Sequence, residues 1–275
     1  MLLWSEILKP IILSALRCPV CRGAFSLSEN QKSLICENKH CVDIAASGYV
    51  NLCPSHGGDS KEAVRARREF LSLGYYRPIA ETLVQLLDKY SKGKVVADLG
   101  CGEGYYGDFI ANGGYSLLGF DLSKPAIEAA AKRKNPNAFY SVAGIFDIPM
   151  HSGSSDALTN IFAPCAEEEY TRVLKSGGCL IVAGAGEDHL HGLKSKIYDE
   201  PSKNTVRADL PKNLKHADTV RLKYKITLKN NAEIKQLFAM TPYYYRTDAE
   251  GFARLDALDT VTTEIDVLFD VYIKE

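Results

Sequence analysis

Five side chains near the N-terminus can donate to a soft or borderline metal: Cys18, Cys21, Cys36, His40 and Cys41. Cys18 and Cys21 are separated by two residues, and Pro19 with the following Arg22-Gly23 favours a tight turn that aims both thiolates the same way. Fourteen residues then lead to Cys36, and three more to His40. This is structural-zinc spacing: four thiolate or imidazole donors close a tetrahedron and leave no position for a reacting water. Cys36 plus one neighbour would complete the site. Spacing alone does not choose between His40 and Cys41.

A second constellation lies in "VVADLGCGEGYYG", residues 95–107. An apolar run leads into Gly100, Gly102 and Gly104, where the chain can turn sharply and approach a ligand closely. Asp121 ends the next apolar run, placed as a carboxylate that accepts ribose hydroxyls would be. "GEGYYG" (102–107) formally matches the dinucleotide fingerprint G-x-G-x-x-G. Asp98 before the loop and Glu103 inside it, however, would crowd a pyrophosphate with like charge. S-adenosylmethionine has no phosphate and carries a sulfonium and an ammonium, so it is the cofactor expected to bind Asp98, Gly100, Gly102, Gly104 and Asp121.

These groups need a scaffold, and 275 residues suffice for one large α/β domain plus a small appendage. After residue 92, apolar runs alternate with helical patterns: "KVVADLG", "YSLLGFD", "FYSVAG", "SDALTNIFA", "GCLIVAGA" and, last, "TTEIDVLFDVYI". Continuous apolar runs between helices indicate buried parallel strands, hence a doubly wound Rossmann-like sheet. The chain divides into an N-terminal helix and zinc ribbon (1–53), a linker with connecting helices (54–92) and the cofactor-binding domain (93–275). The apolar start "MLLWSEILKPIILSAL" is interrupted by Glu6, Lys9 and Pro10, so a packing helix is expected and no membrane span. Cys53, Cys101, Cys165 and Cys179 are scattered, which fits a reducing cytoplasm better than a disulfide framework.

A net charge of -1 excludes a globally basic nucleic-acid binder but not a local patch. Residues 203–246 hold ten Lys/Arg and three Asp/Glu, and Lys61, Arg65, Arg67 and Arg68 add a basic turn. A phosphate-binding face beside the cofactor pocket is therefore expected. "MTPYYYR" (240–246) offers aromatic rings for stacking on unpaired bases.

"DLGCGEG", "GFDLS" and "VLKSGGCLIV" in this order resemble class I S-adenosylmethionine-dependent methyltransferases. More specifically, "CPVC", "ICENKHCVDIAASGYVNL", "RARREFLSLGYYRPI" and the later "APC" resemble the bacterial 23S rRNA (guanine-N1-)-methyltransferase family. The resemblance implies a zinc ribbon ahead of a class I methyltransferase domain, with methyl transfer to N1 of a guanine in a hairpin loop of 23S rRNA. It selects His40 as the fourth zinc ligand and leaves Cys41 spare. It adds Tyr76, Tyr106, Gly107 and His189 to the cofactor contacts and suggests a homodimer. A class I enzyme acting on a small molecule is the alternative, which leaves the ribbon without a task. No catalytic base is identified; Asp147 is a candidate by position only. "NIFAPC" replaces the Asn/Asp-Pro-Pro-aromatic tetrad of amino-group methyltransferases, which fits a ring nitrogen, and such a target needs no nucleophile at Cys165.

Overall fold

The computed structural model describes residues 8–53, 57–206 and 211–275. Helix α1 (Pro10–Ala15) comes first, followed by a three-stranded antiparallel ribbon of β1 (Phe25–Leu27), β2 (Ser33–Cys36) and β3 (Cys41–Asp43). The short strand β4 (Tyr49–Asn51) leaves the ribbon and pairs in parallel with β7 (Ala138–Val142), at one edge of a large sheet. Hydrogen bonds thus cross residue 53: the "GYVN" run that the sequence groups with the ribbon belongs to the other sheet.

Two helices follow, α2 (Lys61–Ser72) and α3 (Arg77–Tyr90). Ser60 caps α2 by accepting from the Ala63 N–H at 3.2 Å, satisfying a donor that the first turn cannot. Pro78 sits in the first turn of α3, where no intrahelical N–H is required of it. The remaining elements are β5 (Val95–Leu99), α4 (Tyr105–Asn112), β6 (Ser116–Asp121), α5 (Lys124–Ala131), β7, β8 (Ser155–Ile161), α6 (Glu167–Val173), β9 (Leu174–Ala185), α7 (His191–Ile197), β10 (Lys215–Leu228), α8 (Asn231–Ala239), α9 (Ala249–Asp256) and β11 (Val261–Ile273).

The large sheet runs β10-β11-β9-β8-β5-β6-β7-β4. From β9 to β4 every pairing is parallel, and β11 and β10 are antiparallel additions at the far edge. β6 and β8 both pair with β5, so the strand order reverses there and opens a crevice at the strand C-termini.

Helices α2, α3, α4, α5, α7 and α8 contribute to the core on one face of the sheet. The other face is covered by α6 and, unusually, by α1 and the ribbon: Ile12, Leu16, Phe25 and Leu34 share one apolar cluster with Ala97, Phe120, Phe139 and Met150. A three-stranded ribbon cannot bury enough apolar area to fold alone. Here it borrows the sheet as its second layer. Arg22 beside the knuckle donates twice to Asp147 on the sheet side, at 2.7 and 2.9 Å, and Arg17 donates at 3.0 Å. Asp147 is therefore a joint between ribbon and sheet and is not among the residues that line the crevice.

β10 has no counterpart among the expected elements. The sequence suggests a basic phosphate-binding stretch over 203–246, but Val220, Leu222, Tyr224 and Ile226 alternate inward against the core while the cations alternate outward. Several cations of the stretch are paired across the fold: Arg221 with Asp266, Lys223 and Lys203 with Asp188, Lys215 with Glu275 and Lys235 with Asp256. Among the described residues, no helix is long and apolar enough to cross a membrane.

Candidate active site and metal centre

The knuckle closes because the Cys18 N–H donates to the Gly23 carbonyl at 2.8 Å and Arg22 N–H returns to Cys18 at 2.9 Å. On the β2–β3 hairpin, Lys39 adopts φ 63°, and His40 N–H points at the Cys36 sulfur at 3.3 Å. Donor atoms of Cys18, Cys21, Cys36 and His40 all lie within 4.8 Å of one another. Individual separations are 3.3 Å from Cys36 Sγ to His40 Nδ1, 3.5 Å between Cys21 and Cys36 Sγ, and 3.7 Å from Cys18 Sγ to His40 Nδ1. Tetrahedral zinc with bonds of about 2.0–2.3 Å sets ligand atoms roughly 3.3–3.8 Å apart. The donor set fits the ion, with His40 turned inward and Cys41 exposed. The Gly23 N–H and the Asn38 amide stabilise the Cys21 thiolate and draw its pKa down to about 6.

The crevice at the strand ends is a cavity of about 720 Å³. Of the expected cofactor residues, Tyr76, Gly100, Gly102, Tyr106, Asp121 and His189 line it, whereas Asp98, Gly104 and Gly107 stand behind its wall. Strand alternation explains Asp98: it shares the face of Val96, under α4, and is 1% exposed. Its carboxylate accepts from Thr159 Oγ1 at 2.8 Å, and burial raises its pKa to about 7. Gly104 caps α4 at φ 78°, where a Cβ would lie 2.8 Å from both Ala130 and the Tyr140 hydroxyl. Gly107 likewise lets α4 settle on β6 and β7, since a Cβ there would meet Leu117 at 2.7 Å. These two glycines shape the loop from beneath.

Asp121 is held by the N–H groups of Gly102 and Ser123, at 2.9 and 2.8 Å. Those bonds favour the charged form, while burial pushes its pKa up. An ionised carboxylate offers about four lone-pair sites, so two remain for ribose hydroxyls. Glu103 lines the cavity, but Arg133 clasps both its oxygens at 2.8 and 2.6 Å. Asp98 is therefore hidden and Glu103 neutralised, so neither would repel a pyrophosphate strongly, contrary to the expectation from sequence. Asp59, also on the wall, is paired with Arg67.

His189 is buried, and burial lowers its pKa to about 4, so the ring is neutral at pH 7. Asp266 N–H donates to Nδ1 at 3.2 Å, which leaves the proton on Nε2, directed at the Tyr76 hydroxyl 3.4 Å away. Burial raises the Tyr76 pKa well above its ordinary value, so the phenol stays protonated. Its neighbour Tyr75 is tied to β10 and α8 through the Thr227 carbonyl and Glu233, at 2.9 and 2.8 Å. From "MTPYYYR", Tyr243 reaches the wall with Met240, Thr241 and Pro242, whereas Tyr244 and Tyr245 face solvent. Phe162, Ala163 and Pro164 of "NIFAPC" line the cavity, and Cys165 is not part of the wall.

Sequence reasoning missed Asp59, Leu122, Phe146 and Phe162, all on the wall. For the last three the available signal was position: each stands in the turn after a parallel strand, at the end of the sheet where ligands bind.

A family model described as "RlmA, N-terminal", a zinc ribbon, matches residues 16–61, and one described as "Methyltransferase domain" matches residues 96–178. The 23S rRNA (guanine(748)-N(1))-methyltransferase of Streptomyces fradiae is 30% identical over 256 residues, covering 88% of this chain and 90% of that protein. YxjB of Bacillus subtilis (strain 168), provisionally named a 23S rRNA (guanine-N(1)-)-methyltransferase, is 29% identical over 94% of this chain and 98% of its own length. With ribbon and crevice both matched in one continuous alignment, the chain belongs to the 23S rRNA (guanine-N1-)-methyltransferase family.

Proposed function

We propose that this protein transfers a methyl group from S-adenosylmethionine to N1 of a guanine in 23S rRNA, with a structural zinc in its ribbon. The observation that carries the reading is the alignment with the Streptomyces fradiae enzyme across both the ribbon and the methyltransferase domain. When bound, S-adenosylmethionine supplies an electrophilic methyl on a sulfonium. The chain's own task is then to hold the two reactants in line and keep water out. Asp121 and the Gly102 backbone hold the nucleoside end, and Tyr76 with neutral His189 borders the other side of the same cavity. Cys18, Cys21, Cys36 and His40 hold the zinc, remote from the reaction.

Guanine N1 carries a proton that must leave. The three acids on the described wall are engaged: Asp59 by Arg67, Glu103 by Arg133 and Asp121 by two backbone N–H groups. Transfer is accompanied by loss of that proton to a base or to water. Because N1 lies on the Watson–Crick edge, the target guanine must be unpaired, which suits a hairpin loop. Action in the cytoplasm and assembly as a homodimer complete the reading; sedimentation at micromolar concentration reads out the second.

Primer extension on 23S rRNA tests the activity, since N1-methylguanine blocks base pairing and halts reverse transcriptase. A new stop is expected only when the protein, S-adenosylmethionine and RNA are all present. Its absence, together with no transfer of labelled methyl to RNA, overturns the reading.

A further inference from the structure

Eight of the ten phenylalanines are buried or half-buried. The two exceptions, Phe146 at 67% exposure and Phe162 at 45%, both line the cofactor crevice. An isolated exposed phenylalanine is ordinary, but both exposed rings opening onto one cavity is a concentration that packing does not explain.

Their positions on the sheet add a second point. Phe162 follows β8 and Phe146 lies beyond β7, on opposite flanks of the β5 glycine loop and of Asp121 at the end of β6. Both rings therefore open onto the crevice from the two sides of the glycine loop.

Phe162 is also strained. Its φ of 54° puts a bulky residue in the left-handed region, a conformation that persists only where surroundings over-determine it. Those surroundings are visible. Phe162 N–H bonds to the Ala183 carbonyl at 2.9 Å, and Ala163 packs against Gly100, where a Cβ would come within 2.6 Å. The Pro164 carbonyl accepts from the Asn160 amide at 2.7 Å and from the Tyr170 hydroxyl at 3.0 Å. The result is a ring set 5.8 Å from the His189 ring and open to the cavity. Phe146 is fixed differently: its neighbour Asp147 is gripped by Arg17 and Arg22 of the ribbon.

From this geometry we infer that Phe162 and Phe146 form the subsite for the unpaired guanine, with Phe162 stacking on the base and Phe146 shielding it from the mouth side. The inference rests on the proposed RNA activity and deepens it. A flipped base has lost its neighbours in the stack, and a phenyl face restores that contact at the place where N1 meets the methyl donor.

The test compares Phe162→Leu, which keeps apolar bulk without a ring face, with Phe162→Trp, which keeps the face. Each full-length, zinc-loaded variant is first titrated with S-adenosylmethionine by calorimetry, then assayed for methyl transfer to an unmodified 23S rRNA transcript. Stacking on an aromatic contributes about 5- to 150-fold in binding. Phe162→Leu is expected to raise KM for RNA about tenfold or more while cofactor affinity stays within about twofold, and Phe162→Trp to restore most of the loss. Phe146→Leu should show the same split at smaller amplitude. An unchanged KM for RNA in Phe162→Leu, with the wild type active, overturns the inference alone. A wild type that methylates no RNA overturns the RNA reading and this inference with it.

Discussion

The zinc ribbon and the cofactor crevice are both built on tight turns, yet they bind with opposite parts of the chain. In the ribbon, side chains from two turns converge and the backbone only aims them: Cys18 and Cys21 from the knuckle, Cys36 and His40 from the hairpin. In the crevice, the glycine loop itself forms part of the wall, and side chains such as Asp121 and Arg133 hold that backbone in place. The first kind of site tolerates no ligand change, because each side chain is a quarter of the binding. The second spreads binding over many groups, so losses there should be graded.

Removing one zinc ligand is the harshest way to probe that contrast. Structural zinc contributes on the order of 10 kcal/mol to small zinc-bound folds. Cys18→Ser should abolish stoichiometric zinc in elemental analysis and lower the melting temperature of the whole chain, because the ribbon core is continuous with the sheet. Cys41→Ser should leave the metal content at one per chain. If Cys41→Ser loses zinc instead, the assignment of His40 is wrong.

Asp121→Ala is the corresponding break in the crevice. It removes the proposed ribose acceptor and frees the Gly102 N–H, each interaction with a charged group being worth about 1.5–3 kcal/mol. Calorimetry should show affinity for S-adenosylmethionine falling about 10- to 100-fold, with zinc content unchanged. Equal damage to both sites would mean that they are not separable.

A pH titration sharpens the comparison further. His189 has its pKa lowered to about 4 in the folded protein from 6.5, so between these values the unfolded chain binds the extra proton. Stability should therefore fall as pH drops from about 6.5 toward 4, and level off below. The full shift corresponds to about 3 kcal/mol at most. Denaturant unfolding of His189→Gln should show a shallower slope across that window.

The smallest expected effect is at the joint. Asp147→Asn weakens ion pairs that are half-exposed, so a loss of about 1 kcal/mol or less is expected in chemical unfolding. KM for RNA should nonetheless rise through Phe146, while cofactor affinity stays constant. No change in KM would argue that the ribbon stabilises the enzyme without shaping its base subsite.

Much of this was legible residue by residue. The knuckle spacing announced a metal, and the glycine run with Asp121 announced a nucleotide-type crevice. β10 was legible too: the alternation of Val220, Leu222, Tyr224 and Ile226 is a strand signal that the charge surplus overshadowed. Other features had no local signal. Asp98 looked like a ligand contact until strand alternation turned it under α4, and Asp147 looked like a free acid until Arg22 closed on it.

What the sequence determined by itself are the short-range properties, those fixed by residue type and spacing over about one turn. They include the donor set of the ribbon and the glycine loop that can follow a buried strand. Only the tertiary structure decided which charges cancel, which acids face the crevice, and that Phe146 and Phe162 flank one cofactor loop. Those outcomes depend on pairings between residues a hundred or more positions apart, such as Arg22 with Asp147 and Tyr76 with His189. No local pattern encodes such partners, because burial and Coulomb energy are set by what the rest of the chain brings into contact.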